Sequence, residues 1–283
     1  MASPLCSAPA GGGVVPRKEP AQVLRHLAAL PKLAGVTAAS RLEARPTPEM
    51  VSSGIREIDE LAGGLPRGCL SEICGPASSG RTSVLLAALA AATRRQEACA
   101  LVDTTDAFDA LSAAAAGVEL GRLLWIRCDT RPRTSPPKSD VRRPTSEVRI
   151  EQALRVTDLL LQSGGFGLVA IDLGDVPDAA TRRIPLASWF RFQRTVEPTV
   201  TVLLVVAQAP CAPTCASLLI RLQAGEKLSA ISSQLSAKEE VLPAHAQLLD
   251  GLRVEGELLR SRLQRKPAQS ITTAFATKAV QIA

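Results

Sequence analysis

The sequence predicts an α/β fold built on a mostly parallel central sheet, with antiparallel strands at one edge and a small helix set apart near the N-terminus. Three observations carry the prediction. The octet Gly75-Pro76-Ala77-Ser78-Ser79-Gly80-Arg81-Thr82 lies between the apolar run Leu70–Cys74 and a helical pattern over Ser83–Thr93, at a strand-to-helix turn. Two later runs, Gly167–Asp172 and Val200–Gln208, are almost continuously apolar, as strands buried on both faces are. Beyond them Cys215–Leu222, Leu248–Leu263 and Ile271–Thr277 read as antiparallel strands at one sheet edge.

Composition sets outer limits. With 283 residues, 46% of them hydrophobic, the chain can bury a large core in one large or two small domains. Aromatic residues make up 2% and Tyr is absent, so Leu, Val, Ile and Ala fill that core and stacking platforms for single-stranded nucleic acid are scarce. The net charge of +6 suits a polyanionic partner and equally a solvated Arg-rich surface. Seven scattered cysteines form no disulfide framework, Cys211-x3-Cys215 lacks a second pair, and His26 and His245 stand apart, so reduced thiols are expected. No apolar run reaches the length of a membrane span and no signal-peptide core opens the chain; a cytoplasmic location is expected.

In order, residues 1–19 are rich in Ala, Gly and Pro and read as a disordered leader. Residues 20–48 hold an amphipathic helix pattern (Val23, Leu24, Leu27, Leu30 within Ala21–Leu33) and a Pro-containing linker; such a helix docks on a partner or on its own domain. Residues 49–283 form the core domain. In the octet, two glycines let the backbone wrap an anion, amides at the helix start point toward it, and Thr82 is placed to hold a metal bridging phosphates. The octet alone also fits an ordinary Gly/Ser turn. Arg81 stands where the phosphate-loop pattern has Lys. A second strand over Ala98–Val102 ends on Asp103, Leu123–Ile126 makes a third, and Glu147–Gln162 reads as a helix. Between them, residues 129–146 form a Pro-, Ser- and Arg-rich insert, disordered on composition.

Val51-Ser52-Ser53-Gly54-Ile55-Arg56-Glu57-Ile58-Asp59-Glu60-Leu61, then Gly63-Gly64-Leu65-Pro66-Arg67-Gly68, the octet, and the strand ending on Asp103 resemble, in this order, the RecA family of ATP-dependent recombinases. The set is most similar to the short RecA-like accessory proteins of bacterial mutagenesis operons, the ImuA type. The resemblance runs from about Val51 to the C-terminus and implies a RecA-like P-loop NTPase core that binds ATP and Mg²⁺. It implies nucleotide contacts from Gly75, Pro76, Ser78, Ser79, Gly80, Arg81, Thr82, Ser83 and Asp109. Asp172 takes the Walker B place and would hold the metal with Thr82. Gln208 matches the glutamine that senses the γ-phosphate. Arg260 and Arg262 fall where the family carries two lysines that reach the neighbouring subunit's nucleotide; the strand pattern alone makes them a charged sheet edge.

Several positions depart from the family. Thr105 replaces the glutamate that positions the attacking water and cannot act as a base near neutral pH, which leaves Asp103 and Asp106 as substitutes. Arg81 is bulkier than Lys and prefers bidentate contacts. Ser112 stands where a ring stacks on adenine. The first DNA-binding loop position, Asp175–Gln193, holds Arg182, Arg183, Trp189, Phe190 and Arg191, with Arg194 beyond. It reads either as a single-strand contact or as an amphipathic helix that buries Trp189 and Phe190. The second loop is cut to about Ala209–Thr214. The resemblance therefore implies a nucleotide-binding accessory protein of DNA repair and SOS mutagenesis with weak or no hydrolysis. Its partners would be single-stranded DNA, RecA, translesion-polymerase proteins or further copies of itself. A DNA-dependent ATPase recombinase and a nucleotide-free scaffold are the alternatives.

Overall fold

The computed structural model describes residues 47–128, 146–225, 251–262 and 271–278, together with Val23. The expected leader, the body of the N-terminal helix and nearly all of the 129–146 insert lie outside the described residues. The chain divides into Met1–Pro46 and Thr47–Ala283, and the second unit is the one described below.

Its entry is a short antiparallel pair, β1 (Met50–Val51) with β2 (Leu65–Pro66), enclosing α1 (Arg56–Ala62). The Ser-Ser-Gly-Ile-Arg-Glu-Ile-Asp run is a structural latch. Asp59 in α1 accepts bonds from Ser52 Oγ at 2.6 Å and the Ser53 amide at 2.8 Å. Gly54, at φ +85°, lies so close to the Ala87 carbonyl that no side chain fits there. The helix stops at Gly63 in the left-handed conformation, whose amide bonds the Asp59 carbonyl.

The main sheet has eight strands in the order β10-β9-β8-β3-β7-β6-β4-β5. These are β3 (Cys69–Cys74), β4 (Cys99–Asp103), β5 (Leu123–Arg127), β6 (Leu168–Leu173), β7 (Val202–Ala207), β8 (Leu218–Ala224), β9 (Gly251–Ser261) and β10 (Thr272–Lys278). Strands β8 through β5 run parallel, and β9 and β10 add antiparallel at one edge. The expected architecture is present, with one correction. The strand anticipated from Cys215 is parallel, its Leu218 level with Ser71 of β3. The short gap after β7 looks like a hairpin in sequence. Instead the chain folds back under the sheet, burying Cys211, Ala212, Cys215 and Ala216, and re-enters on the far side of β3.

Both sheet faces are covered, which is why β7 is apolar throughout. Val202, Leu204 and Val206 join the core that includes Ile58, Leu85 and Leu89, whereas Leu203, Val205 and Ala207 join the opposite core. The first face carries α2 (Arg81–Arg94) and α3 (Ala110–Ala115). The second carries α4 (Ser146–Ser163), α5 (Asp178–Thr181) and α6 (Leu186–Val196). The described cysteines, Cys69, Cys74, Cys99, Cys128, Cys211 and Cys215, are free thiols, and no described helix is long and apolar enough to cross a membrane.

The segment expected as a first DNA-binding loop is largely α5 and α6. On α6, Trp189, Phe192 and Val196 are buried at helical spacing, with the Trp189 and Phe192 rings edge-to-face at 6.0 Å. Phe190 is 44% exposed, so the expected buried pair Trp189–Phe190 is corrected to Trp189–Phe192. Successive residues on a helix point about 100° apart, and here Phe190 falls on the solvent side of α6 while Trp189 and Phe192 face the core. Trp189→Ala is therefore expected to lower unfolding free energy by about 3–5 kcal/mol, and Phe190→Ala to change it by less than about 0.5 kcal/mol. Urea denaturation of both variants checks the face assignment.

Candidate functional site

Parallel register brings the singled-out positions to one sheet edge. At the C-terminal ends, Cys74 of β3 is level with Ala207 of β7, Val206 of β7 with Asp172 of β6, and Asp172 with Asp103 of β4. The octet, Asp172, Asp103 and Gln208 thus emerge side by side, where α/β sheets place their ligands.

The octet is tightly built at its base and open above. The Gly75 amide bonds the Ala207 carbonyl at 3.2 Å, and a β-carbon on Gly75 would stand 2.5 Å from Ser79 Oγ and against the Leu222 carbonyl. Ser79 closes a turn onto the Pro76 carbonyl at 3.3 Å, and Ser78 takes φ 60°. Gly80, at φ +86°, is pressed by Val254 of β9, whose Cγ2 a β-carbon would approach to 2.5 Å. Helix α2 starts at Arg81 with no side-chain cap and no acid in its first turn, so its leading amides face outward unneutralised. Pro76, Ala77, Ser78 and Thr82 are exposed and Ser83 is half-buried, whereas Ser79 is buried with its hydroxyl unpartnered.

Arg81 departs most from a free phosphate-binding cation. It is 8% exposed, and its Nη1 donates to the Gly174 carbonyl at 2.8 Å, tying the helix start to the turn after β6. The Asp172 carboxylate accepts the Gly174 amide at 2.8 Å. Burial raises the Asp172 pKa to about 6; Asp103 and Asp175 add to the rise, and the Gly174 amide and Arg81 oppose it. A β-carbon on Gly174 would be 2.9 Å from Asp172 Oδ1 and 3.3 Å from Arg81 Nη1, so carboxylate and guanidinium share the space over this glycine. The expected Mg²⁺ pair Thr82/Asp172 fits a divalent ion poorly on this geometry. The carboxylate is turned to an amide and a guanidinium already stands beside it.

The two substitute bases are engaged elsewhere. Asp103 is fully buried and accepts from the amides of Thr105 (3.2 Å), Ala107 (3.2 Å) and Phe108 (3.0 Å) and from Trp125 Nε1 (3.2 Å). It builds the turn that carries Thr105. Asp106, at φ +61°, holds Arg127 through both oxygens, and Arg127 in turn lies 4.6 Å over the Trp125 ring, which packs 5.1 Å from Phe108. Asp109 caps α3, accepting the Leu111 amide (3.3 Å) and the Ser112 amide (2.9 Å) and hydroxyl (2.5 Å), and these bonds to Ser112 hold its carboxyl below the usual range.

Beside the first turn of α2 lies a cleft of about 580 Å³ whose walls include Gly54, Ser83, Ala87, Ser112, Phe275 and Thr277. Gln208 is half-buried just past β7. The loop after it is fastened by Glu72, which sequence reasoning missed. Glu72 is fully buried in β3 and accepts the Cys211 amide at 2.5 Å and the Ala212 amide at 3.2 Å; burial raises its pKa against these bonds. The one available signal was an acid inside the apolar strand Leu70–Cys74. Arg260 and Arg262 bond the carbonyls of Pro213 and Thr214 in this same loop, within the chain itself. Of the arginines expected at DNA, Arg182 pairs with Asp178 (2.6 Å), Arg183 with Glu147 (2.6 Å) and Arg191 with Asp158 (3.1 Å), while Arg194 is exposed on the last turn of α6. They lie along α5 and α6, apart from the octet.

Residues 25–134 match the family described as the RecA N-terminal domain. The chain is similar to Protein RecA of Ectopseudomonas oleovorans, 36% identical over 126 residues that cover 44% of this chain and 31% of that protein. It is similar also to Protein RecA of Kineococcus radiotolerans, 36% identical over 150 residues, 52% of this chain and 38% of the relative. The chain thus spans about a third of the length of these curated relatives. The matched segment includes the latch, the octet and the Asp103 turn, and the mostly parallel α/β sheet agrees with a RecA-like core.

The buried carboxyl of Asp172 gives a stability prediction. Its folded pKa of about 6 lies above the ordinary 3.8, so the associated stability is complete below about pH 4 and is lost as pH rises through 6. Asp172→Asn, which keeps an acceptor for the Gly174 amide, is expected to stabilise the fold above pH 6, by at most about 3 kcal/mol. The gain should shrink toward zero as pH approaches 4. Urea titrations from pH 4.5 to 8 measure it; a gain independent of pH would refute the cause given.

Proposed function

We propose that the chain is a RecA-like nucleotide-binding accessory protein of bacterial DNA repair and mutagenesis, of the ImuA type, which binds ATP or ADP at the Gly75–Thr82 loop and turns it over slowly or not at all. The observation that carries the reading is the loop. It combines uncapped helix amides, the buried unpartnered Ser79 hydroxyl and the Arg81 guanidinium within three successive residues at the sheet's C-terminal edge. The cleft that Ser83 and Ser112 help to line lies beside the same helix and offers room for a base without a stacking tyrosine.

Slow turnover follows from the carboxylates. A general base must reach the attacking water, yet Thr105 has no carboxylate, Asp103 is surrounded by four donors and Asp106 is held by Arg127. The recombinase reading is disfavoured further by the loop after Gln208. Glu72, Arg260 and Arg262 pin it, whereas a DNA-binding loop must reshape around its ligand. Action through protein contacts, with a translesion polymerase, RecA or a second copy, and through electrostatic contact with single-stranded DNA, is part of the proposal.

Thermal or urea unfolding with and without nucleotide tests it. At 100 times the dissociation constant, ATP should add about 2.7 kcal/mol, and Arg81→Ala should weaken binding by about tenfold or more. Phosphate release should stay at the background rate with or without single-stranded DNA. DNA-stimulated hydrolysis abolished by Asp172→Ala would make the chain a recombinase, and no shift at millimolar nucleotide would make it a scaffold.

A further inference from the structure

We propose that this site takes its nucleotide as the free polyphosphate anion, with Arg81 supplying the charge that a divalent cation supplies in other phosphate loops. The inference rests on the nucleotide reading above and concerns what neutralises the phosphates.

Three features carry it. First, the Arg81 guanidinium is buried at the base of the loop and fixed through Nη1 to the Gly174 carbonyl. A guanidinium has five N–H donors in one plane, so most remain for phosphate oxygens, in the paired geometry that a lysine ammonium cannot offer. Second, the carboxylate that would anchor a metal is not presented as a ligand. Asp172 bonds the Gly174 amide, and its Oδ1 and Arg81 Nη1 crowd the same point over Gly174. A divalent ion at Asp172 would meet the Arg81 guanidinium in the same space, the Asp103 carboxylate next to it is taken up by four donors, and Mg²⁺ tolerates little departure from octahedral coordination. Third, Ser79 keeps a buried hydroxyl with no partner in the protein, an additional neutral donor beside the amides of α2. Cation, amides and hydroxyl together satisfy a phosphate without a metal.

Calorimetric titration of ATP and ADP into the full chain, with Mg²⁺ and with EDTA, tests this directly. For the natural protein, binding in EDTA should be as tight as in Mg²⁺ or tighter, because the ion competes with the site for the polyphosphate. In Arg81→Lys, whose shorter ammonium leaves the Gly174 carbonyl and vacates the space beside Asp172, removal of Mg²⁺ should weaken binding by about tenfold or more. A second measurement needs no variant: by Mn²⁺ paramagnetic resonance, the protein–ATP mixture should retain no more of the ion than ATP alone. Loss of about tenfold or more with EDTA in the natural protein, or extra Mn²⁺ retained by the complex, would overturn the proposal while leaving nucleotide binding intact. Absence of binding under both conditions would overturn it together with the reading it rests on.

Discussion

The bond from Arg81 to the Gly174 carbonyl is the contact around which this edge of the molecule is arranged. It ties the first residue of α2, and with it the phosphate-type loop, to the turn leaving β6, across the intervening strand β7. A lysine in this place ends in a mobile point charge; the arginine ends in a planar group locked by a buried carbonyl. Because the parallel register puts Asp103 level with Asp172, and the Thr104 amide bonds the Asp172 carbonyl at 3.3 Å, the same turn also anchors the β4 end. Loop, Asp172 and the Asp103 turn therefore hold one another in place before any ligand arrives.

A second regularity extends this stiffness. Acids serve as backbone clamps: Asp59 on Ser53, Glu72 on Cys211 and Ala212, Asp103 on Thr105, Ala107 and Phe108, Asp109 on Leu111 and Ser112. Bonds from amides to ionised carboxylates contribute about 1.5–3 kcal/mol each where buried. Glu72 and Asp103 are fully buried and hold turns at the functional edge of the sheet. Carboxylates engaged in this way hold backbone and are not positioned to reach an attacking water.

How much of this was legible in the sequence divides along physical lines. Strand and helix positions were legible because a strand buried on both faces is apolar at every residue, and Val202–Ala207 could hardly read otherwise. The direction of β8 was not. A short gap between two strands looks the same whether the chain turns back as a hairpin or slips beneath the sheet, and only the buried Cys211–Ala216 segment decides it. The octet was legible as a loop from its glycines and serines, yet the orientation of Arg81 depends on a carbonyl remote in sequence. The tasks of Asp103 and Glu72 were hidden for the same reason: an acid at a strand end or inside an apolar run shows its type, and its donors come from other elements. Arg260 lies on the expected strand and Arg262 just past its end, and their contacts to Pro213 and Thr214 follow from register with β8, which local pattern does not specify.

Polar demand at the octet is left unmet within the protein. Asp103 is fully buried and has four donors, so it asks for nothing more. Three strands along the same edge, Ser79 has a buried hydroxyl without a partner and α2 begins with amides that no side chain caps. Leaving a buried polar group unmatched costs about 1–3 kcal/mol. An uncapped helix start adds a cost of about 1 kcal/mol. Carboxylates clamp several other turns of the fold, and an acid at Ser79 or Thr82 would have done the same here. Such an acid would also repel a phosphate. The unsatisfied donors, the buried guanidinium and the lack of an acid in the first turn of α2 favour an anion over a cation at this loop.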